Sequence, residues 1–365
     1  MLVTYPKINH DFEKMQTYLN FIFFKVWCKA SPQNQYDIDL FKDCDELFEI
    51  VDHFYQLDLV NKPKKSATFF LSGLVEIYNE FSNLSVTDIK KLKRWYRSNH
   101  KYEYSCSQRV GFTPSRYEDI ETISFPLAEK LKEFFTGLYN HNFLELKIIS
   151  KNVGCLNDYY KELVTEYKLD ICPFCGLYPL DGKYALTRDA FDHYLPKSKY
   201  PFISLSVKNL APACYKCNSG NKGDKDPLSI DGNSRKAFYP FALNNPNIEL
   251  EIDFSGVDYQ NYSINDVVVK AINPENLQEI TTWFDLFGLK SRYEAHLCSE
   301  SFGKVWANKL FNWLSRNKGR DATDYINELL EDISGNIIQD HYFLKSPFLQ
   351  ACISEEIFTP MNKDS

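Results

Sequence analysis

The sequence predicts an α+β chain, mainly helical, with a small metal-bound module near its middle. Three observations predict this. Apolar residues recur at spacings of three and four, as in Phe12, Met15, Tyr18, Leu19, Ile22 and Val26, which marks one face of a helix. Two short cysteine pairs, Cys172-Pro-Phe-Cys175 and Cys214-Tyr-Lys-Cys217, stand at the centre. Ile248 to Phe254 and Val267 to Ile272 read as two paired strands. The expected division is a helical region over 1–125, a central domain over 126–235 with its core at 170–227, and a strand pair followed by helices over 236–365.

The first region carries a second helical run from Phe69 to Phe81, then a break at Asn83 to Thr87 and a basic helix over about Asp88 to Ser98. In that helix Lys90, Lys91, Lys93, Arg94 and Arg97 surround Trp95 and Tyr96, a pattern open both to phosphate contact and to an ordinary solvated face. Residues 103–125 are polar and aperiodic and read as a linker. Pro126 opens the next helix, with Leu127, Leu131, Phe134 and Leu138 on one stripe. Asn157 to Tyr167 is helical and runs into Cys172. Asp231-Gly232-Asn233-Ser234 is a turn. Helical patterning returns after Pro274, around Trp283 to Leu289, Val305 to Leu314 and Ala322 to Ile333.

Composition narrows the class. The chain has 365 residues, 44% apolar and 25% charged, ordinary for a globular protein with buried cores. Its 28 Phe and 24 Tyr suggest bulky helix packing. No apolar stretch approaches the roughly 20 residues that cross a bilayer, and the start lacks the pattern of a signal peptide; a cytoplasmic protein is expected. Of the ten cysteines, Cys28, Cys44, Cys106, Cys155, Cys298 and Cys352 are scattered singly and read as small core residues in a reducing compartment. The net charge of −7 argues against indiscriminate coating of nucleic acid. From Lys183 to Lys225, however, eight basic residues face three acids, so the centre is a basic patch on an acidic chain.

Each CxxC pair can place two thiolates on one ion, and Cys172, Cys175, Cys214 and Cys217 together make a closed tetrahedral Zn²⁺ site. The 38 residues between the pairs exceed a usual double knuckle, so secondary structure is inserted there. The insertion carries Asp192, His193 and Asn209, and Asn218 follows directly on Cys217. A carboxylate and an amide oxygen suit a hard cation such as Mg²⁺ or Mn²⁺. A histidine of ordinary pKa suits proton acceptance near neutrality.

Phe191-Asp192-His193-Tyr194-Leu195-Pro196-Lys197-Ser198, then Asn209-Leu210-Ala211-Pro212-Ala213-Cys214-Tyr215-Lys216-Cys217-Asn218 and Lys222 resemble the HNH endonucleases of the ββα-metal fold, in their four-cysteine zinc variant. The likeness covers about 55 residues, Cys172 to Asp226. It implies a hairpin presenting His193 as general base and a following helix presenting the last metal ligand. Asp192 and Asn218 would hold one catalytic cation, Asn209 would orient the loop that carries His193, and cleavage would leave 5′-phosphate and 3′-hydroxyl ends. Asn218 stands where many relatives have histidine. An amide oxygen is the harder ligand and favours Mg²⁺ or Mn²⁺, and several branches of the family share the asparagine.

Lys197, Lys199, Lys222 and Lys225 are expected phosphate contacts, the last two sharing a face if a helix runs through Gly220 and Gly223. His10, His53, His100, His141, His296 and His341 have no ligand-like company and read as structural or surface groups. The expectation is therefore a single-cation endonuclease acting on DNA rather than RNA, an effector of anti-phage defence or restriction. No phosphate-binding glycine loop is present, so nucleotide-driven control would come from an ATPase partner. The rival expectation is a zinc-stapled module that binds nucleic acid or protein without cutting.

Overall fold

A computed structural model describes residues 2–60, 65–255, 261–333 and 336–354. The chain is α+β and mainly helical, and its strands form three two-stranded antiparallel sheets among the described residues.

The amphipathic stretches become helices where expected. The basic helix spans Val86–Asn99 and starts on Ser85, whose hydroxyl accepts the Asp88 N–H at 3.1 Å, an N-cap that satisfies one of the free donors of the first turn. The helix opened by Pro126 spans Phe125–Asn140 and crosses the Lys65–Ser82 helix. The crossing is close because each helix offers a glycine to an aromatic ring: a Cβ on Gly73 would lie 2.4 Å from Phe134, and one on Gly137 2.2 Å from Phe69. Trp27 packs against Phe81, Phe134 and Phe135, and its indole N–H donates to the Leu74 carbonyl at 3.1 Å.

Residues 103–125 differ from the expected linker. They contain two short helices, Tyr102–Cys106 and Tyr117–Glu121, too brief for a helical period to register in the sequence. They are fixed by tertiary contacts: the Tyr117 N–H donates to the Lys199 carbonyl at 3.1 Å, and Arg116 pairs with the buried Asp226 at 2.5 Å.

The strand pair after the central segment is Leu250–Phe254 with Val267–Ala271, in register Ile252 to Val269. The Asp231-Gly232 turn closes a two-residue-stranded hairpin, Ser229–Ile230 with Asn233–Ser234, and both turn residues have positive φ (48° and 79°), as a tight hairpin turn requires. The C-terminal helices include Leu277–Phe287 and Leu289–Leu297, broken at Gly288. Buried residues from Leu2 to Cys352 form one continuous hydrophobic cluster. Cys28, Cys106 and Cys352 are buried in it, while Cys44, Cys155 and Cys298 are half-buried. No helix among the described residues is long and apolar enough to cross a membrane.

Candidate metal and catalytic centre

The four cysteine sulfurs converge. Cys172, Cys175, Cys214 and Cys217 are all buried and offer ligand atoms within 4.8 Å of one another. In the first knuckle Gly176 adopts φ +65°, which lets its N–H turn back to the Cys172 carbonyl at 2.7 Å and the Leu177 N–H point at the Cys175 sulfur at 3.4 Å. The second knuckle leads into a helical turn, Tyr215–Cys217. Four buried thiols without an ion would have no adequate polar partners, whereas four thiolates at this spacing suit a tetrahedral ion such as Zn²⁺. The C-terminal helices brace the same group. Arg292 donates to the Cys217 sulfur at 3.4 Å, the Trp283 indole to the Phe174 carbonyl at 2.7 Å, and the Tyr293 hydroxyl to the Cys175 carbonyl at 3.0 Å. An arginine beside one sulfur offsets part of the negative charge that a Cys₄ site retains with a divalent ion.

Between the knuckles lies a two-stranded hairpin, β1 (Phe191–His193) and β2 (Leu210–Pro212), in register Asp192 to Ala211. Pleating sends Asp192 and His193 to opposite faces. Asn209, fully buried, clamps the loop that leaves β1: its side-chain oxygen accepts the Leu195 N–H at 2.8 Å and its amide donates to the Leu195 carbonyl at 3.0 Å. Its predicted role in orienting the loop after His193 corresponds to this two-point clamp.

His193 is held from the other end of the same segment. Its Nε2 lies 2.9 Å from the Ser204 carbonyl, which can only accept, so Nε2 carries the proton and Nδ1 is left as a free acceptor. The ring also packs edge-on against Tyr139 at 4.5 Å. Burial, then the charges of Lys197 and Lys222, push its pKa down to about 3. Burial thus favours the neutral imidazole and makes it a weaker base than the ordinary histidine the sequence suggests.

Asp192 is buried, and burial raises its carboxyl above the usual range although the Lys222 ammonium pulls it back. One oxygen, Oδ1, takes the Lys222 ammonium at 2.9 Å; the other, Oδ2, is buried with no hydrogen-bond partner. Lys222 also donates to the His193 carbonyl at 3.0 Å and is itself buried. Asn218 begins the turn Asn218–Lys222 that delivers this lysine, and its half-buried side chain makes no hydrogen bond among the described residues.

Of the four lysines expected at a phosphate, Lys222 departs from expectation. Lys222 is enclosed by Asp192 and cannot meet a phosphate in this arrangement. Gly223, at φ +49°, ends the turn after Lys222, so Lys225 does not share its face and instead donates to the Asp285 carbonyl at 3.1 Å. Lys197 lies over the Tyr139 ring at 4.2 Å and donates to Asn140, close enough to depress His193. Lys199 is half-buried, with its carbonyl tied to Tyr117.

Two residues escaped sequence reasoning. Ser204 acts through its carbonyl, which any residue would supply, so its identity carries no signal. Phe202 has φ +75°, a left-handed conformation that a bulky side chain adopts only when its surroundings enforce it. Its ring packs against Phe23, Tyr96 and Phe135 of the helical region, and buried Asn99 donates to the preceding Pro201 carbonyl at 3.0 Å. The N-terminal helices therefore set the path of the loop that aims Ser204 at His193.

No family model matches the chain, and no solved structure matches it. Among curated proteins it is similar to protein ea31 of Escherichia phage lambda, 31% identical over 127 residues, which is 35% of this chain and 38% of that protein. The chain spans well under half of that relative's length.

Proposed function

We propose that this chain is a metal-dependent endonuclease of the HNH type that hydrolyses phosphodiester bonds in DNA, with His193 as general base. The observation that carries the reading is the pairing of a neutral imidazole, its Nδ1 freed by the Ser204 carbonyl, with an adjacent buried carboxylate that keeps one oxygen unpartnered. His193 Nδ1 takes the proton of the attacking water, while Ser204 and Asn209 keep ring and loop in place. A phosphate anion entering beside His193 offsets the two lysine charges and raises its basicity. Asp192, through Oδ2, and Asn218 are the residues that would hold a Mg²⁺ or Mn²⁺ ion, and the donor set fits a cation bound by few protein oxygens plus substrate phosphate. When bound, that ion supplies charge neutralisation at the scissile phosphate and the departing oxygen. As a setting we propose an effector of anti-phage defence or restriction, working inside the cell beside an ATPase partner.

One observation favours the rival reading of a zinc-stapled binding module: Lys222 already neutralises Asp192 without any cation. The two are separated by incubating zinc-loaded protein with supercoiled plasmid in Mg²⁺, Mn²⁺ or EDTA, beside a gel-shift assay. Divalent-dependent nicked or linear product supports the nuclease. A mobility shift without cleavage in any ion, with or without the partner ATPase and ATP, supports the module.

A further inference from the structure

The basic helix Val86–Asn99 presents a face whose charges the fold leaves uncompensated. Lys90, Arg94 and Arg97 follow one another at spacings of four and three, so they share one side of the helix, and Lys101 lies just past its end. All four are exposed, and none has an ion pair among the described residues. Like charges at this spacing repel and weaken a helix. Counter-charges are not scarce, since the chain has 49 acids against 42 bases. Elsewhere on the surface they are used: Lys14, Lys130 and Arg320 each meet two carboxylates at 2.7–3.9 Å.

Two other elements extend this face. Exposed Lys29 lies with Arg97 near buried Cys28: burial raises that thiol, and the charges of Lys93, Arg97 and Lys29 act against the rise. Arg97 is steadied over the Phe24 ring at 5.1 Å. With Lys101 and Lys208 it also borders an open recess, where Glu13 is the only acid among the lining residues. Lys208 belongs to the turn Val207–Asn209 and its carbonyl accepts the Tyr239 hydroxyl at 3.0 Å. An exposed cation thus stands one residue before the Asn209 clamp and two before β2. The stripe from Lys90 to Arg97 rises about 10 Å, the length of about three phosphates along one DNA strand. Unpaired cations spread over this span suit a polyanion rather than one small anion.

We infer that the face formed by Lys29, Lys90, Arg94, Arg97, Lys101 and Lys208 binds the phosphate backbone of a DNA duplex and holds it for the hairpin that Lys208 adjoins. Its contacts are to phosphates, so the surface is indifferent to base sequence. The choice of DNA over another polyanion rests on the nuclease reading, but binding itself does not require cleavage.

Fluorescence polarisation of the zinc-loaded full chain with a labelled short duplex, without added divalent ion, measures binding apart from cleavage. The triple variant Arg97→Ala, Lys101→Ala, Lys208→Ala should bind at least about tenfold more weakly at moderate salt. The dependence of log Kd on log salt should also become shallower by about 2–3, near one unit per lost phosphate contact. Its melting temperature should be unchanged or higher, because exposed and mutually repelling charges are removed. Lys42→Ala, Lys130→Ala, Lys304→Ala removes the same charge from cations already paired with acids and should leave the salt slope unchanged. Native binding with no cleavage in Mg²⁺ would support this surface while counting against the nuclease reading. Absence of binding at low salt, equal losses in the two triple variants, or polyglutamate competing as well as unlabelled duplex at equal charge overturns the assignment.

Discussion

Lys222→Met removes the ammonium from a contact in which neither partner reaches water. The Lys222 side chain is 0% and that of Asp192 3% exposed, and the charges are 2.9 Å apart. At an effective dielectric of about 20 that separation corresponds to about 6 kcal/mol of attraction before desolvation is subtracted. What the substitution leaves behind is a buried carboxylate with neither oxygen charge-compensated, a loss of about 3–5 kcal/mol. Asp192→Asn leaves the ammonium in the same position and should cost a similar amount. The double substitution leaves no net charge buried, so it should lose less than the sum of the two, with a coupling of about 2 kcal/mol or more. Denaturant unfolding of zinc-loaded protein at pH 7, followed by tryptophan fluorescence, reads all three. Mg²⁺ should stabilise Lys222→Met more than the native chain, because Asp192 then has both oxygens open to the ion. Additive single effects, or a Lys222→Met loss below about 1 kcal/mol, would refute the buried pair as an energetic unit.

Asn209→Ala strips two buried backbone partners from Leu195 and should cost about 2–4 kcal/mol, read by the same unfolding curves; Asn209→Asp should cost at least as much, because a buried carboxylate cannot donate to the Leu195 carbonyl. Phe202→Ala should cost about 3–5 kcal/mol, and it should also lower cleavage more than an equally destabilising core change such as Phe81→Ala, because the Ser204 carbonyl loses its brace. Removal of zinc by a strong chelator, or Cys214→Ser, should lower the melting temperature and release one zinc per chain, measured by a colorimetric dye. His100, half-buried, is pushed down to about 4 by burial first. The unfolded chain therefore takes up its proton near pH 6.5 and the folded chain does not. Stability should be complete above that pH and fall by about 3 kcal/mol as pH drops toward 4, and His100→Asn should flatten that fall.

The sequence shows the helices and the metal site more fully than the groups that aim them. Helices with a repeating apolar face, such as Val86–Asn99 and Phe125–Asn140, were readable because periodicity records burial residue by residue. Cysteine spacing carried the thiolate cluster for a similar reason: the ligand is the side chain itself. The helices in 102–121 were hidden, since five residues hold no period and their positions depend on Lys199 and Asp226, far along the chain. Lys222 could not be told from a surface lysine, because its burial depends on the hairpin folding over it. Ser204 contributes only a carbonyl, and the positive φ of Phe202 is enforced by aromatic residues from a different region.

The most direct test of the account compares native chain and His193→Ala, both zinc-loaded and with matched melting temperatures, on supercoiled plasmid in Mg²⁺ or Mn²⁺. Nicked or linear product is expected from the native chain, and a rate lower by about 10²-fold or more for His193→Ala. Equal cleavage by the two proteins would contradict it.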